Sequence, residues 1–254
     1  MRIGIFGGTF NPPHNTHVLI AEQAKKQLKL DKLLVFPCGD PPHKHSDVGK
    51  RVRFKMAQLA FENIGEVCDY EVNKPGKSYS SETVEYVAER YPDAELFLII
   101  GGDSFYEFDT WHLPKQIAQQ ATIAVVARGK LIPEADVDDF CRRFQAKVVQ
   151  ILTEPNGVSS SEIRLSYAFG IEQSQLVPQK VDEYIRHTGL YAEYLPFVEK
   201  LKTMLAPKRF SHTFYVAKRG LELCKGKDER RVFLACLLHD CAKYIPAEDY
   251  AKYG

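Results

Sequence analysis

Two runs, LFLIIG at 96–101 and TIAVVAR at 122–128, constrain the chain most. Each carries apolar side chains at consecutive positions, so both faces of the strand must be covered. Shorter runs resemble them: residues 2–6 leading into Gly7-Gly8, LLVFP at 33–37, an edge-like stretch at 67–72 and KVVQIL at 147–152. Between them, apolar residues recur at helical spacing over 16–28, 50–63, 80–90, 114–120 and 135–144. Strands alternating with helices predict an α/β fold, an open and mainly parallel sheet with helices on both faces. SSSEIR at 159–164 opens another helix, with Ser159 and Glu162 at capping-box spacing. Beyond residue 165 only helices are expected, at 178–187, 193–205, 209–224 and 228–242. This divides the chain into a first domain over 1–190, a connecting segment or helix over 191–206, and a C-terminal all-helical segment over 207–254.

Composition excludes several classes. Thirty-four basic residues face 33 acidic ones among 254, a net charge of +1, which gives no reason to expect a nucleic-acid partner. No apolar run reaches the roughly 18 residues a membrane span needs. The opening MRIGIFGGTF reads as a first strand and not as a signal peptide. Six scattered cysteines without a CxxC pair suit a reduced, cytoplasmic protein.

The first candidate site follows the first strand. Gly7 and Gly8 let a ligand approach the backbone, Thr9 and Phe10 continue the turn, and His14 and His17 stand three apart at the start of a helix. Two imidazoles beside free helix N–H groups can grip phosphate oxygens. The spacing alone leaves a nucleotide site, a structural turn and a metal pair open. No third glycine completes a dinucleotide fingerprint, and no Gly-Lys-Ser/Thr ends a phosphate loop.

GGTFNPPHNTH at 7–17 resembles the opening motif of the nucleotidyltransferases related to the class I aminoacyl-tRNA synthetases. Its extended form is similar to that of the bacterial nicotinate-nucleotide adenylyltransferases. Where the family carries (H/T)xGH this chain has His14-Asn15-Thr16-His17, with Thr16 in place of glycine. Four later segments follow in the family's order: Pro41-Pro42-His43-Lys44, Gly76–Thr83, Gly101-Gly102-Asp103 through Trp111, and Val158–Arg164. The resemblance covers about residues 1–188 and implies a Rossmann-like sheet.

The activity it implies joins ATP and nicotinate mononucleotide into nicotinate adenine dinucleotide and pyrophosphate. His14 and His17 would stabilise the transferring phosphate. Gly7, Gly8, Thr9, Phe10, Lys44, Asp103, Arg128, Ser159, Ser160 and Arg164 would bind ATP. Lys44, Tyr79, Ser80, Thr83 and Trp111 would bind the mononucleotide, Trp111 by stacking on its pyridine ring. Mg²⁺ would arrive with ATP, because no cluster of carboxylates suggests a dedicated cage. Both partners are small molecules, and a homo-oligomer is compatible with the sequence. The competing readings are a related transferase using nicotinamide mononucleotide or pantetheine phosphate, and a nucleotide sensor that has lost its chemistry.

The tail carries a second resemblance. His212, and His239-Asp240 after the apolar run 234–238, are similar to the start of the HD phosphohydrolase family. That family needs a further Asp on a later helix, for which Asp249 is too close. The expectation is an incomplete HD site at His212, His239 and Asp240, with weak divalent-metal binding and no phosphohydrolase activity.

Overall fold

The structure, a computed structural model, describes residues 1–41, 48–154, 158–171, 175–224 and 228–244. The chain runs β1 (Arg2–Gly8), α1 (Asn15–Gln27), β2 (Lys32–Pro37), α2 (Lys50–Phe61), β3 (Glu66–Val67), α3 (Tyr70–Asn73), α4 (Ser80–Arg90), β4 (Glu95–Gly101) and α5 (Gly102–Tyr106). After a 3-10 turn at Phe108–Thr110 come α6 (Pro114–Gln120), β5 (Thr122–Arg128), α7 (Glu134–Phe144) and β6 (Val148–Thr153). The remaining helices are α8 (Ser160–Ala168), α9 (Gln179–Thr188), α10 (Leu195–Met204), α11 (Pro207–Cys224) and α12 (Glu229–Leu238).

The six strands form one sheet in the order β3-β2-β1-β4-β5-β6, every described pairing parallel. In β1, Phe6 stands opposite Val35 on one side and Ile99 on the other. Successive side chains leave opposite faces of a strand. Ile3, Ile5, Leu98 and Val125 therefore join one core, with Val84 and Val87 of α4, Ile117 of α6 and Phe140 of α7. The intervening positions Phe6, Val35, Phe97 and Ile99 are equally buried. On that side Phe6 meets Phe61 of α2 edge-on. The strand order reverses direction between β1 and β4, and in such sheets ligands bind at the carboxyl ends beside that reversal.

One expected strand is nearly absent. At 67–72 only Val67, with Glu66 before it, pairs along β2, and the chain then turns into α3. Glu71 and Val72, consecutive residues, are both buried, a helical and not an alternating pattern. The physical cause is Glu71, whose carboxyl turns inward to accept a hydrogen bond from Thr83 Oγ1 at 2.7 Å.

The chain forms two compact units, Met1–Val158 with Gln175–Val181, and Ser159–Ser174 with Asp182–Gly254. The first is the sheet unit. The short return at 175–181 is tied to it by Asn15, whose backbone N–H donates to Leu176 O and whose side-chain amide donates to Gln175 O, both at 2.9 Å. The second unit is helical, with a core that includes Leu165, Phe169, Val198, Leu201, Phe233 and Leu237. The division therefore falls earlier than the joint expected at 191–206. Val198 and Leu201 of α10 are fully buried core residues, and α8 supplies its apolar face to the same core.

Candidate active site at the carboxyl ends of the central strands

β1 delivers Gly7 and Gly8 to the carboxyl edge of the sheet. A Cβ on Gly8 would lie 2.8 Å from the Phe10 ring, so the turn closes only over glycine. Phe10 itself takes a left-handed backbone conformation, φ 49°, which carries its ring back inside. There it is 1% exposed and packs edge-on against Phe6, Phe61 and His17. Phe10 is thus a plug beneath the turn, and any ligand contact it makes comes from its backbone. Gly7 differs: a Cβ there would meet nothing within 4 Å. Its missing side chain solves no packing problem and leaves the space over the strand end open.

His14 caps α1 and His17 sits three residues into the helix, their rings 3.8 Å apart and tilted by 35°. The two occupy the reciprocal positions of a capping box. Its firm contact is the His14 backbone N–H donating to His17 Nδ1 at 3.2 Å. A nitrogen that accepts carries no proton, so neutral His17 holds its hydrogen on Nε2. Nδ1 of buried His14 and Oγ1 of buried Thr16 make no bond of hydrogen-bond geometry among the described residues. Buried polar atoms without partners at a helix N-terminus are suited to receive a polar ligand. Burial, with the Arg128 charge second, lowers the pKa of His14 to about 4. Burial first, then His14, then Arg128 hold His17 well below the usual histidine value. Both imidazoles are therefore neutral hydrogen-bonding groups before any anion arrives.

Arg128, at the end of β5, is exposed and belongs to the same electrostatic neighbourhood. It also lines a cavity of about 410 Å³ with Gly102 and Asp103 from the end of β4 and Lys130 to Pro133 beyond β5. That volume lies in the range of small-molecule sites. Asp103 sits in the first turn of α5, a helix the sequence does not announce because Gly101-Gly102-Asp103 reads as a loop.

The Gly76–Thr83 segment leads into α4. Its N-cap is Tyr79. Ser80 is the first helical residue, so its N–H and that of Ser81 belong to the turn whose donors lack helical partners. The Tyr79 ring lies 4.5 Å from that of His112, and Ser81 Oγ is 3.1 Å from His112 Nδ1. Half-buried Trp111 packs against Phe108 with ring centres 5.3 Å apart. Thr83 is 2% exposed and its hydroxyl is given to Glu71, which places it behind the segment and not on its surface. Burial raises the Glu71 carboxyl pKa, while hydrogen bonds from Thr83, Ser78 and Cys38 oppose the shift.

Three residues here escape sequence reasoning: Glu71, His112 and Arg53. Arg53 had a signal. It stands on the helical stripe of Met56, Ala57 and Ala60, where a charged residue is out of place unless buried with partners. Nothing distinguished Glu71 or His112 from surface residues. Lys44 lies outside the described residues.

Ser159, Ser160 and Arg164 belong to the helical unit. Ser159 caps α8, its Oγ accepting from the Glu162 N–H at 3.2 Å as the capping-box spacing predicts. Ser160 begins the helix. Arg164 Nη2 donates to Ser161 Oγ and to Glu229 of α12, both at 3.1 Å. Lys218 of α11 pairs with Glu162 at 2.6 Å.

In the same unit His212, His239 and Asp240 bring one ligand atom each within 4.8 Å of one another. His239 Nδ1 lies 2.7 Å from the Cys236 carbonyl, to which it must donate, and its Nε2 lies 3.4 Å from Asp240 Oδ2. An imidazolium or a cation between them satisfies that arrangement. Arg209 at 3.1 Å and Lys243 at 3.7 Å already neutralise Asp240. Among the described residues the group fits a metal in donor type and supplies three donors, with Arg209 and Lys243 competing for Asp240.

No helix of the described residues is long and apolar enough to cross a membrane. Residues 5–166 match the cytidylyltransferase-like family. A Clostridium tetani protein described as a probable nicotinate-nucleotide adenylyltransferase is 35% identical over 197 residues, 74% of this chain and 97% of its own. An Exiguobacterium sibiricum protein of the same description is 37% identical over 198 residues, 76% of this chain and all of its own. Among solved structures, the Plasmodium falciparum nicotinic acid mononucleotide adenylyltransferase complexed with NaAD superposes with a TM-score of 0.60 at 18% identity. It covers 75% of this chain and 97% of its own, and it supports the fold. With its glycine turn, its histidine pair and its sheet order all found in one unit, the chain belongs to the nicotinate-nucleotide adenylyltransferase family.

Proposed function

We propose that the protein transfers the adenylyl group of ATP to nicotinate mononucleotide, giving nicotinate adenine dinucleotide and pyrophosphate. The observation that carries this reading is the pair of neutral, partly unpartnered histidines beside Arg128 at the carboxyl end of β1. The mononucleotide phosphate oxygen forms a bond to the α-phosphorus of ATP, and the bond to the departing pyrophosphate breaks. The attacking oxygen is already ionised, so no protein nucleophile is required. Alignment and stabilisation of developing charge carry the rate.

His17 donates from Nε2 to a phosphate oxygen, and His14 uses its unpartnered Nδ1. An arriving anion favours the protonated forms and raises both pKa values. Gly7, Gly8, Thr9 and Phe10 offer backbone to the phosphates. Asp103 and Arg128 frame the adenosine side of the 410 Å³ cavity. Tyr79, Ser80 and Trp111 receive the nicotinate ring, with the first amides of α4 suited to its carboxylate. Thr83 acts through Glu71 from behind. Lys44 adds a phosphate contact in this reading, and the motif resemblance gives Ser159, Ser160 and Arg164 of the helical unit an ATP-binding role of their own. Mg²⁺ would come with ATP and would neutralise phosphate charge, since Asp103 alone is no cage. His212, His239 and Asp240 bind a divalent metal weakly, against competition from Arg209 and Lys243. The expected partners remain small molecules, in a cytoplasmic setting, with self-association left open.

Pyrophosphate release from ATP is to be measured with nicotinate mononucleotide and with nicotinamide mononucleotide. A strong preference for the acid is expected, because donors left unpaired by an amide are costly. Equal efficiency with both would remove the acid-selecting role of the Tyr79–Ser80 segment. Release with neither would favour the sensor.

A further inference from the structure

A buried guanidinium lies where several loops of the sheet unit meet. Arg53 of α2 is 1% exposed. Its Nη1 donates to Thr9 O at 2.8 Å and to Cys38 O at 2.6 Å. Its Nη2 donates to Gly39 O at 2.7 Å, and its Nε to Val48 O at 3.1 Å. Thr9 lies in the turn after β1, Cys38 and Gly39 follow β2, and Val48 precedes α2. One planar fork thus fixes three main-chain segments.

The link continues. The Gly39 N–H donates to Ser78 Oγ at 3.1 Å, and the Ser78 N–H donates to Asp40 O at 2.9 Å. Gly39 has no room for a side chain, since a Cβ would lie 2.1 Å from Glu71 O. Ser78 immediately precedes Tyr79 and Ser80. A continuous hydrogen-bonded path therefore runs from the turn beside the histidines, through Arg53 and Gly39, to the segment assigned to the mononucleotide.

We propose that Arg53 is a positioning residue for adenylyl transfer. It touches neither substrate. It sets the Thr9 turn against the Gly39–Tyr79 loop so that the attacking phosphate and the α-phosphorus meet in line. An apolar residue here would leave the carbonyls of Thr9, Cys38, Gly39 and Val48 without their shared donor. What an apolar residue cannot do is hold carbonyls of separate loops in one plane. Misplacing reacting groups by about 1 Å costs on the order of 100-fold in rate.

The inference rests on the proposed reaction, and the test separates the two. Wild type, Arg53→Lys and Ser78→Ala are compared, with folding checked by circular dichroism. For each, the dissociation constants of a non-hydrolysable ATP analogue and of nicotinate mononucleotide are measured separately, along with kcat and KM. Lysine keeps the charge and loses the fork. Arg53→Lys is expected to bind each substrate within about 3-fold of wild type while kcat falls roughly 30- to 100-fold. Ser78→Ala, which keeps Arg53, should raise the mononucleotide KM and leave the ATP KM unchanged. A folded Arg53→Lys enzyme with wild-type kcat, or with its loss confined to binding one substrate, would overturn the inference. Should Arg53→Lys fail to fold, Ser78→Ala decides, and an unchanged mononucleotide KM overturns it. Wild type inactive with both mononucleotides would sink the functional reading and this inference with it. Active wild type with unaffected variants sinks the inference alone.

Discussion

The sheet unit and the helical unit bury side chains by different means. In the sheet unit the central strands carry four or five consecutive buried residues, and the polar groups are concentrated where the strands end. There the chain departs from good packing practice, with a buried arginine, a buried carboxyl and two neutral histidines in ring contact. In the helical unit the core is aromatic and aliphatic, with Phe169 packed against Phe210, Phe214 and Phe233. Its charges form partly exposed ion pairs between helices, such as Arg164–Glu229 and Lys218–Glu162. The contrast teaches where each unit is sensitive: the first through geometry at a site, the second through its core.

The largest effect should come from Phe169→Ala. Removing a fully buried phenylalanine costs about 3–5 kcal/mol. Denaturant unfolding should show that loss, while kcat of the remaining folded protein stays within about 3-fold. A comparable fall in kcat would erase the distinction between the units. His17→Ala should do the reverse. Loss of one preorganised donor typically costs about 100- to 1,000-fold in kcat. The melting temperature should move by no more than a few degrees, and unchanged turnover would remove His17 from the chemistry.

Acid sharpens the comparison further. A histidine whose folded pKa is depressed binds fewer protons folded than unfolded. Its contribution is intact above pH 6.5 and is lost as pH falls towards 4, by about 2–3 kcal/mol for His14. Glu71, with its pKa raised, works in the opposite sense and loses its contribution as pH climbs through the folded value. Unfolding free energy measured from pH 7 to 4 should therefore fall less steeply in a His14→Gln variant. An identical slope would place His14 in a different environment. The smallest effect belongs to Glu229→Gln. The Arg164–Glu229 pair is partly exposed, so its loss should cost less than about 1 kcal/mol of stability. A change in the ATP KM beyond about 3-fold would join this pair to the chemistry.

How much of this the sequence made legible depends on whether a residue's neighbours are local. β4 and β5 each carry five consecutive buried apolar residues, so their place in the middle of a sheet is evident from the run itself. His14 and His17 are three apart on a helix start and could be paired by spacing. Ser159 as the cap of α8 rests on an i, i+3 pattern and stands. Glu71 takes its role from Thr83 and Ser78, and Arg53 from Thr9 and Gly39, partners that only the fold brings near. The turn into α3 follows from the same cause, since an inward carboxylate overrode an alternating pattern.

The placement of α8 bears on the order in which the protein is made. All six strands leave the ribosome before any residue of α10. The apolar face of α8 gains its last partners only when Phe233 and Leu237 emerge, more than sixty residues after Phe169. At roughly 5–20 residues per second, that is an interval of several seconds. During it the sheet can be finished while Leu165 and Phe169 are not yet fully covered. The motif helix, written into the middle of the chain, is thus among the last parts of the molecule to settle, and the nascent protein is most adhesive late in its own synthesis.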